Sequence, residues 1–493
     1  MDLRTTTRDR DEYIASLEKV IAAQQARIGE LLQMETRIAE LTQIAALVPV
    51  LQARIAELER RLSSNSRTSS KPPSSDGYGK PPAKSRKSTK GSRPPGKQPG
   101  SAGTHLARRL VPDVVVIHRP QLCAGCGEGL ADADVVATEA RQVFDIPPMQ
   151  LTVTEHRAQA QRCGCGHTTF GSFPAAVTAP TQYGPHLRAL GTYLSVYQHL
   201  PYERTAELLA DWLGAPVATG TLVNMVADAS DRVEPALVAI RDQIAASDVV
   251  HADETGARVD GRLNWMHSAS TTTHTLFTAH PRRGLEAMTA AGVLAKVSGV
   301  LVHDGWSPYR RYEVEHGLCN AHHLRELEGA AQYRGQAGWA RQMIRVLTGL
   351  KREVDGARRR GAAGLDEDRL AHWNQRYDSA TARGTQANHV RLVRKPNNLL
   401  KRLITYRADV LRFATDFRVP FDNNLAERDI RMVKLKQKVS GCHRSAEGAD
   451  RFCRIRSYIS TARKQGQSVA TVLVRLFEGD PWLPAGPAAG APT

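Results

Sequence analysis

The sequence predicts a multidomain α/β protein, and three observations carry that expectation. Its 493 residues exceed what one hydrophobic core accommodates, and about 150 residues per domain gives roughly three units. Near the start, apolar residues step by three and four as a coiled-coil seam does. After Ala245 the pattern changes to strand, strand, strand, helix, strand. Composition narrows the function classes: 67 Lys and Arg against 50 Asp and Glu leave a net charge of +17, which favours a polyanionic partner, nucleic acid above all. No apolar stretch approaches the ~20 residues that cross a bilayer, and the opening MDLRTTTRDRDEY lacks the apolar core of a secretory signal. Seven cysteines, four of them in close-set pairs, suit a metal site better than a disulfide framework, so a reducing cytoplasm is expected.

The elements follow in order. Over residues 8–62 the seam runs Ile14, Leu17, Ile21, Ile28, Leu31, Ile38, Leu41, then Leu51, Ile55, Leu58 and Leu62, with polar Gln24 and Glu35 on the same line. Pro49 predicts a break into two helical pieces. A coiled coil would make the chain a homo-oligomer; an amphipathic helix packed on its own protein is the alternative. Residues 63–110 have the composition of a disordered linker, with proline pairs and serine runs. Eleven basic residues there face the single acid Asp76, so the segment is either a solvated spacer or a contact for DNA phosphates.

A small zinc-binding β module is expected over 111–175. Cys123 and Cys126, then Cys163 and Cys165, flank stretches that alternate like strands around Val114, Val143 and Leu151. Two thiolate pairs supply the four soft ligands of one structural Zn²⁺, with His167 as a substitute for one thiolate. Residues 180–245 read as helical. A helix around Leu208, Leu209 and Trp212, a Gly214-Ala215-Pro216 turn and a second helix from Thr219 or Thr221 fit a helix-turn-helix or plain helical packing.

From 246 to 480 the chain reads as one α/β domain. A strand ends at Asp253, two more cover Arg262–Ser270 and Thr273–Ala279, a helix spans Leu285–Lys296, and a buried strand leads into Asp304. This order begins an RNase H-like fold, in which the first and fourth strands are neighbours and Asp253 and Asp304 emerge side by side. Paired carboxylates repel unless a cation neutralises them, and Mg²⁺ prefers oxygen ligands, so a third acid is expected. Alternation points Glu254 to the other strand face.

The stretches HADETGARVDGRLNWMHSAS, HDGWSPYRRYEVEHGLCNAHHLREL and VPFDNNLAERDIRMVKLKQKVSGCHRS, with YLSVYQHLPYERTAELLADW, resemble the bacterial insertion-sequence-66 transposases, a DDE family with an RNase H-like core. The resemblance covers nearly the whole chain. It implies that Asp253, Asp304 and Glu427 are the catalytic triad and hold two Mg²⁺ ions for DNA cleavage and strand transfer at the element's ends. Lys434 follows Glu427 by two helical turns and can meet a phosphate, with Arg428, Arg431, Lys436 and Lys438 adding positive charge. Asp429 falls on a different helix face. Residues 324–419 read as a helical insertion, with His322 and His323 at its entrance as packing and hydrogen-bonding residues or, as the alternative, metal ligands, and 484–493 as a disordered tail. Double-stranded DNA, a second copy of the chain and accessory proteins of the same element are the implied partners. A non-catalytic DNA-binding regulator and a nuclease without strand transfer are the alternatives; intact acids at all three positions argue against the first.

Overall fold

The computed structural model describes residues 3–63 and 106–486. It divides into two compact units, one of residues 1–78, 322–350 and 371–405, the other of residues 79–321, 351–370 and 406–493. Leu3–Ser63 form a single helix, α1, that runs through Pro49. The expected break is therefore absent: a proline removes one backbone bond and crowds the preceding turn, which a helix can absorb as a local distortion. The seam residues Ile14, Leu17, Ile28 and Leu31 are all exposed. The linker expected over 63–110 lies, for residues 64–105, outside the described residues, as does the tail from 487.

The stretches around Val114, Val143 and Leu151 are not strands. Alternation specifies a strand only where a partner pairs with it and one face is buried, and here the apolar side chains are exposed. The strands of this region are short: β1 (Ala160–Arg162) and β2 (Thr168–Phe170) pair antiparallel beside the second cysteine pair.

The helical region follows. α2 (Pro185–Thr192) leads into a π-helical turn over Tyr193–Tyr197, then α3 (Tyr202–Leu213), α4 (Thr219–Arg232) and α5 (Glu234–Ala245). Gly214 ends α3 at φ 61°, a left-handed position that glycine occupies without strain. Beyond it Ala215 and Val217 turn inward onto Leu187, Leu209, Leu222 and Met225. Trp212 is not part of that core, being 59% exposed.

Five strands make the central sheet: β3 (Val249–Val259), β4 (Arg262–Ser270), β5 (Thr275–His280), β6 (Val300–His303) and β7 (Glu315–Leu318), in the order β5-β4-β3-β6-β7. The first three are antiparallel neighbours, whereas β6 runs parallel to both β3 and β7. β3 does not end at Asp253 but continues six residues to Val259, because β4 pairs with it along that length. Between β5 and β6 the expected long helix is a short one, α6 (Leu285–Ala290), followed after Gly292 by a separate 3-10 turn over Leu294–Lys296. Gly299 lets β6 approach β3: a Cβ there would lie 2.2 Å from the Asp248 carbonyl oxygen.

After β7 come α7 (Asn320–Ala330), α8 (Ala337–Arg359), α9 (Glu367–Val390), α10 (Arg394–Thr405) and α11 (Arg407–Thr415). In the first unit Gly384 lies against Leu400 and Trp339, and Tyr377 donates to the Leu403 carbonyl at 2.8 Å. In the second unit α12 (Asn424–Ser440), α13 (Ala446–Lys464) and α14 (Val469–Glu478) complete the core around the sheet. α13 covers the β5 edge: the hydroxyls of Ser457 and Thr461 accept from the backbone N–H groups of Phe277 and Thr275 at 2.8 and 3.0 Å. Among the described residues no helix is long and apolar enough to cross a membrane.

Candidate active site

Parallel pairing of β3 with β6 sets His251 opposite Val302. Two residues further along the same register stand Asp253, within β3, and Asp304, just past the end of β6. Backbone N–H groups fix both carboxylates: Glu254 donates to Asp253 Oδ1 at 2.9 Å, and Trp306 to Asp304 Oδ1 at 2.8 Å. Gly305 makes the turn between Asp304 and Trp306 at φ 90°.

Glu427 comes from α12, whose start is positioned by Asn423. That side chain is 1% exposed; its Nδ2 donates to the Ala252 carbonyl at 2.8 Å, while His251 Nδ1 donates to its Oδ1 at 2.8 Å. Its backbone N–H donates to Cys319 Sγ at 3.2 Å. The start of α12 is thereby locked to β3, and Glu427 follows one helical turn later. Burial pushes the Asp253 carboxyl well above its ordinary value, and the negative charges of Glu254, Asp304 and Glu427 push it further. These three sequence-predicted acids therefore form an electrostatic cluster around Asp253, with no three of its carboxylates within 4.8 Å of one another among the described residues.

The cluster includes a residue the sequence placed elsewhere. Glu254 does not face away: its side chain is 2% exposed, and burial followed by the Asp304 charge raises its carboxyl above the usual range. The Tyr309 hydroxyl and Arg283 offset part of that rise. Alternation of strand faces describes where a Cβ points, but a glutamate is long enough to bring its carboxylate back. Arg283, Tyr309, Asn423 and His251 were missed as site residues; the sequence signal for the last three is that they stand within the quoted family stretches, and Arg283 carries none.

The cations of α12 fall into two groups. Arg428, Arg431 and Lys438 are exposed on spacings of three and seven, one helix face. Lys434 and Lys436 are half-buried and bonded to backbone instead, Lys434 to the Gly256 carbonyl and Lys436 to the Gly441 and Cys442 carbonyls at 3.2 Å each. Burial lowers both ammonium pKa values. Asp429 faces another way, accepting from Ser270, Thr275 and Lys464 at 2.8, 2.9 and 2.6 Å.

Each cysteine pair sits in a tight turn. Cys123 donates its N–H to the Glu128 carbonyl and accepts from Gly127; Cys163 donates to the His167 carbonyl and accepts from Gly166. Backbone N–H groups of Cys126 and Gly125 lower the Cys123 thiol, and Cys165 lowers the Cys163 thiol, so both are biased towards thiolate. Among the described residues, no three of the four thiols lie within 4.8 Å of one another.

A family model described as the Transposase IS66 family matches residues 180–451, more than half of the chain. The chain belongs to the IS66 transposase family. The zinc-finger binding domain of transposase IS66 matches residues 120–166, a segment that contains Cys123, Cys126, Cys163 and Cys165 and stops short of His167. A family of unknown function (DUF6444) matches residues 21–107. No curated protein matches the chain. As an IS66 transposase with its zinc-finger domain, the protein carries a structural zinc site and binds DNA. Asp253, Asp304 and Glu427 all fall inside the transposase segment.

Proposed function

We propose that this IS66 transposase cuts the ends of its insertion element and joins them to target DNA, using Asp253, Asp304 and Glu427 as the ligands of two Mg²⁺ ions. The observation that carries the reading is the parallel β3–β6 register, which sets Asp253 and Asp304 at equivalent positions of neighbouring strands, with burial first and the charges of Glu254, Asp304 and Glu427 after it disfavouring Asp253 as an anion. Such a set fits a hard divalent cation: its donors are oxygens, and neutralising them removes the repulsion. When bound, Mg²⁺ supplies Lewis-acid polarisation of the scissile phosphodiester and activates water or a 3′-hydroxyl as nucleophile. The chain's own contribution is placement. The β3–β6 pairing holds Asp253 and Asp304 in register, and Asn423 fixes the start of the helix that carries Glu427. The strand order β5-β4-β3-β6-β7, with β6 parallel to β3, supports an RNase H-like core.

Arg428, Arg431 and Lys438, exposed on one face of α12, are the cations suited to meet DNA phosphates, whereas Lys434 and Lys436 are half-buried against backbone carbonyls. α3 and α4 are a candidate helix-turn-helix for the element's ends, and Cys123, Cys126, Cys163 and Cys165 are candidate ligands of the structural zinc. Thiolate bias at Cys123 and Cys163 fits that donor set. α1 is a candidate surface for pairing with a second copy, in a protein working in the bacterial cytoplasm, where accessory proteins of the element would act with it.

The test is a cleavage and joining assay on the element's own ends. Asp253→Asn, Asp304→Asn and Glu427→Gln should each abolish both products while leaving end binding intact. Near wild-type cleavage by any one of them removes that residue from the triad. Cleaved but never joined DNA from the wild type would leave a nuclease.

A further inference from the structure

Glu254 stands beside Asp253 in β3 with its side chain 2% exposed, and three contacts account for its carboxylate. Oε2 accepts from the Tyr309 hydroxyl at 2.5 Å, and Oε1 accepts from Nε and Nη2 of Arg283 at 2.9 and 2.6 Å. Tyr309 is 1% exposed and belongs to the 3-10 turn Ser307–Arg311, just beyond Asp304. Its ring centroid lies 4.7 Å from that of His303 and 6.1 Å from that of Trp306, so it packs on both flanks of the Asp304-Gly305 step. His303 is pinned as well. Its Nδ1 accepts from the Gly305 N–H at 3.0 Å, which leaves Nε2 to donate to His316 Nδ1 at 3.1 Å. On the other side Arg283 is held over two indoles, 4.0 Å from the Trp306 ring and 4.8 Å from the Trp265 ring.

One carboxylate thus ties the strand that carries Asp253 to the loop that carries Asp304. We propose that Glu254 is a positioning residue, whose bonds to Tyr309 and Arg283 set the spacing between Asp253 and Asp304 before any cation arrives. The proposal rests on reading those two acids as metal ligands. Arg283 offsets part of the Glu254 charge: its guanidinium donates twice to Oε1, so the link adds an acceptor beside the site with less repulsion than a bare carboxylate would bring. The Tyr309 ring is buried and packed against both His303 and Trp306, which restrains it and stiffens the link. Charge-assisted bonds of this kind are among the stronger ones in a protein interior.

Removing a group that orients a metal ligand costs about 10–100-fold in metal affinity. The experiment measures Mn²⁺ binding to the full-length protein without DNA, from the spectrum of free Mn²⁺, alongside thermal melts and zinc content. Tyr309→Phe and Glu254→Gln are compared with wild type, Asp253→Asn and Asp304→Asn. We expect Tyr309→Phe to weaken Mn²⁺ binding by about 10-fold, near the lower end of that range. Glu254→Gln keeps an acceptor for Tyr309 but loses the charge pairing with Arg283, and should also weaken it. A residue that only supports the fold would lower the melting temperature and leave Mn²⁺ affinity unchanged. If both aspartate variants lose Mn²⁺ while Tyr309→Phe and Glu254→Gln bind it as wild type does, the positioning role is overturned and the carboxylate reading stands. If the aspartate variants bind Mn²⁺ normally, the carboxylate reading itself fails, and this proposal with it. Should Tyr309→Phe not fold, Glu254→Gln decides.

Discussion

Asp253→Asn should stabilise the metal-free protein while abolishing its activity. The side chain is penalised first by burial and then by three negative neighbours, Glu254, Asp304 and Glu427. Asparagine has nearly the same shape and keeps an Oδ1 acceptor for the Glu254 N–H now bonded at 2.9 Å, so the exchange deletes the repulsion and retains the hydrogen bond. Stabilising single substitutions commonly add about 0.5–2 kcal/mol, and relief of charge burial and like-charge repulsion should put this one in that range. In a unit of this size each kcal/mol moves the melting temperature by about 1–2 °C. The pH dependence has a definite sign. A carboxyl whose folded pKa is raised keeps its proton longer in the folded state, so wild type loses stability as pH rises through the ordinary value near ~3.9 and on to the raised folded value. The asparagine variant has no proton to lose there. The two proteins should melt alike in strong acid, and the gap should open above that value and then level off. Melts in EDTA across pH, repeated with Mg²⁺, measure this. Mg²⁺ should stabilise wild type by linkage and not the variant, closing or reversing the gap. A variant less stable than wild type in EDTA at neutral pH would refute the claim that this cluster stores repulsion.

Three further outcomes follow from other contacts. Asp429→Ala leaves Lys464, 17% exposed, with only the Thr271 and His274 carbonyls and removes the acceptor of Ser270 and Thr275, so urea unfolding should show a loss of about 1–3 kcal/mol, with cleavage per folded molecule retained. Cys123→Ser should release about one Zn²⁺ per chain in elemental analysis and leave Mg²⁺-dependent cleavage chemistry otherwise assembled; full zinc retention would remove Cys123 from the ligands. Charges placed on the α1 seam, Ile28→Asp with Leu31→Asp, should reduce the mass of the full-length protein in light scattering, because both residues are exposed in the single chain and self-association is what would bury them. An unchanged mass would end the coiled-coil reading.

The sequence by itself determined the elements whose information is local. Period-two runs such as Arg262–Ser270 and apolar Val300, Leu301 and Val302 marked strands that β4 and β6 match closely, and Gly214 marked the end of α3. Glycine, alternation and burial act within a few residues, so they can be read along a chain. Family stretches located Asp253, Asp304 and Glu427, and the IS66 transposase match covers all three. The same local reasoning failed where a partner decides. The alternation around Val143 and Leu151 had no strand to pair with, β3 outran Asp253 because β4 accompanied it, and α1 passed through Pro49. Only the tertiary structure decided the surroundings of the acids. Asn423 meets Ala252 across 171 residues of chain, and Glu254 meets Tyr309 across 55. Side-chain length and the approach of distant segments set those contacts, and neither is encoded in the spacing of neighbours. Glu254 shows the difference most clearly: strand alternation sent it away from Asp253, while a buried tyrosine and an arginine stacked on tryptophan drew its carboxylate back to the same site.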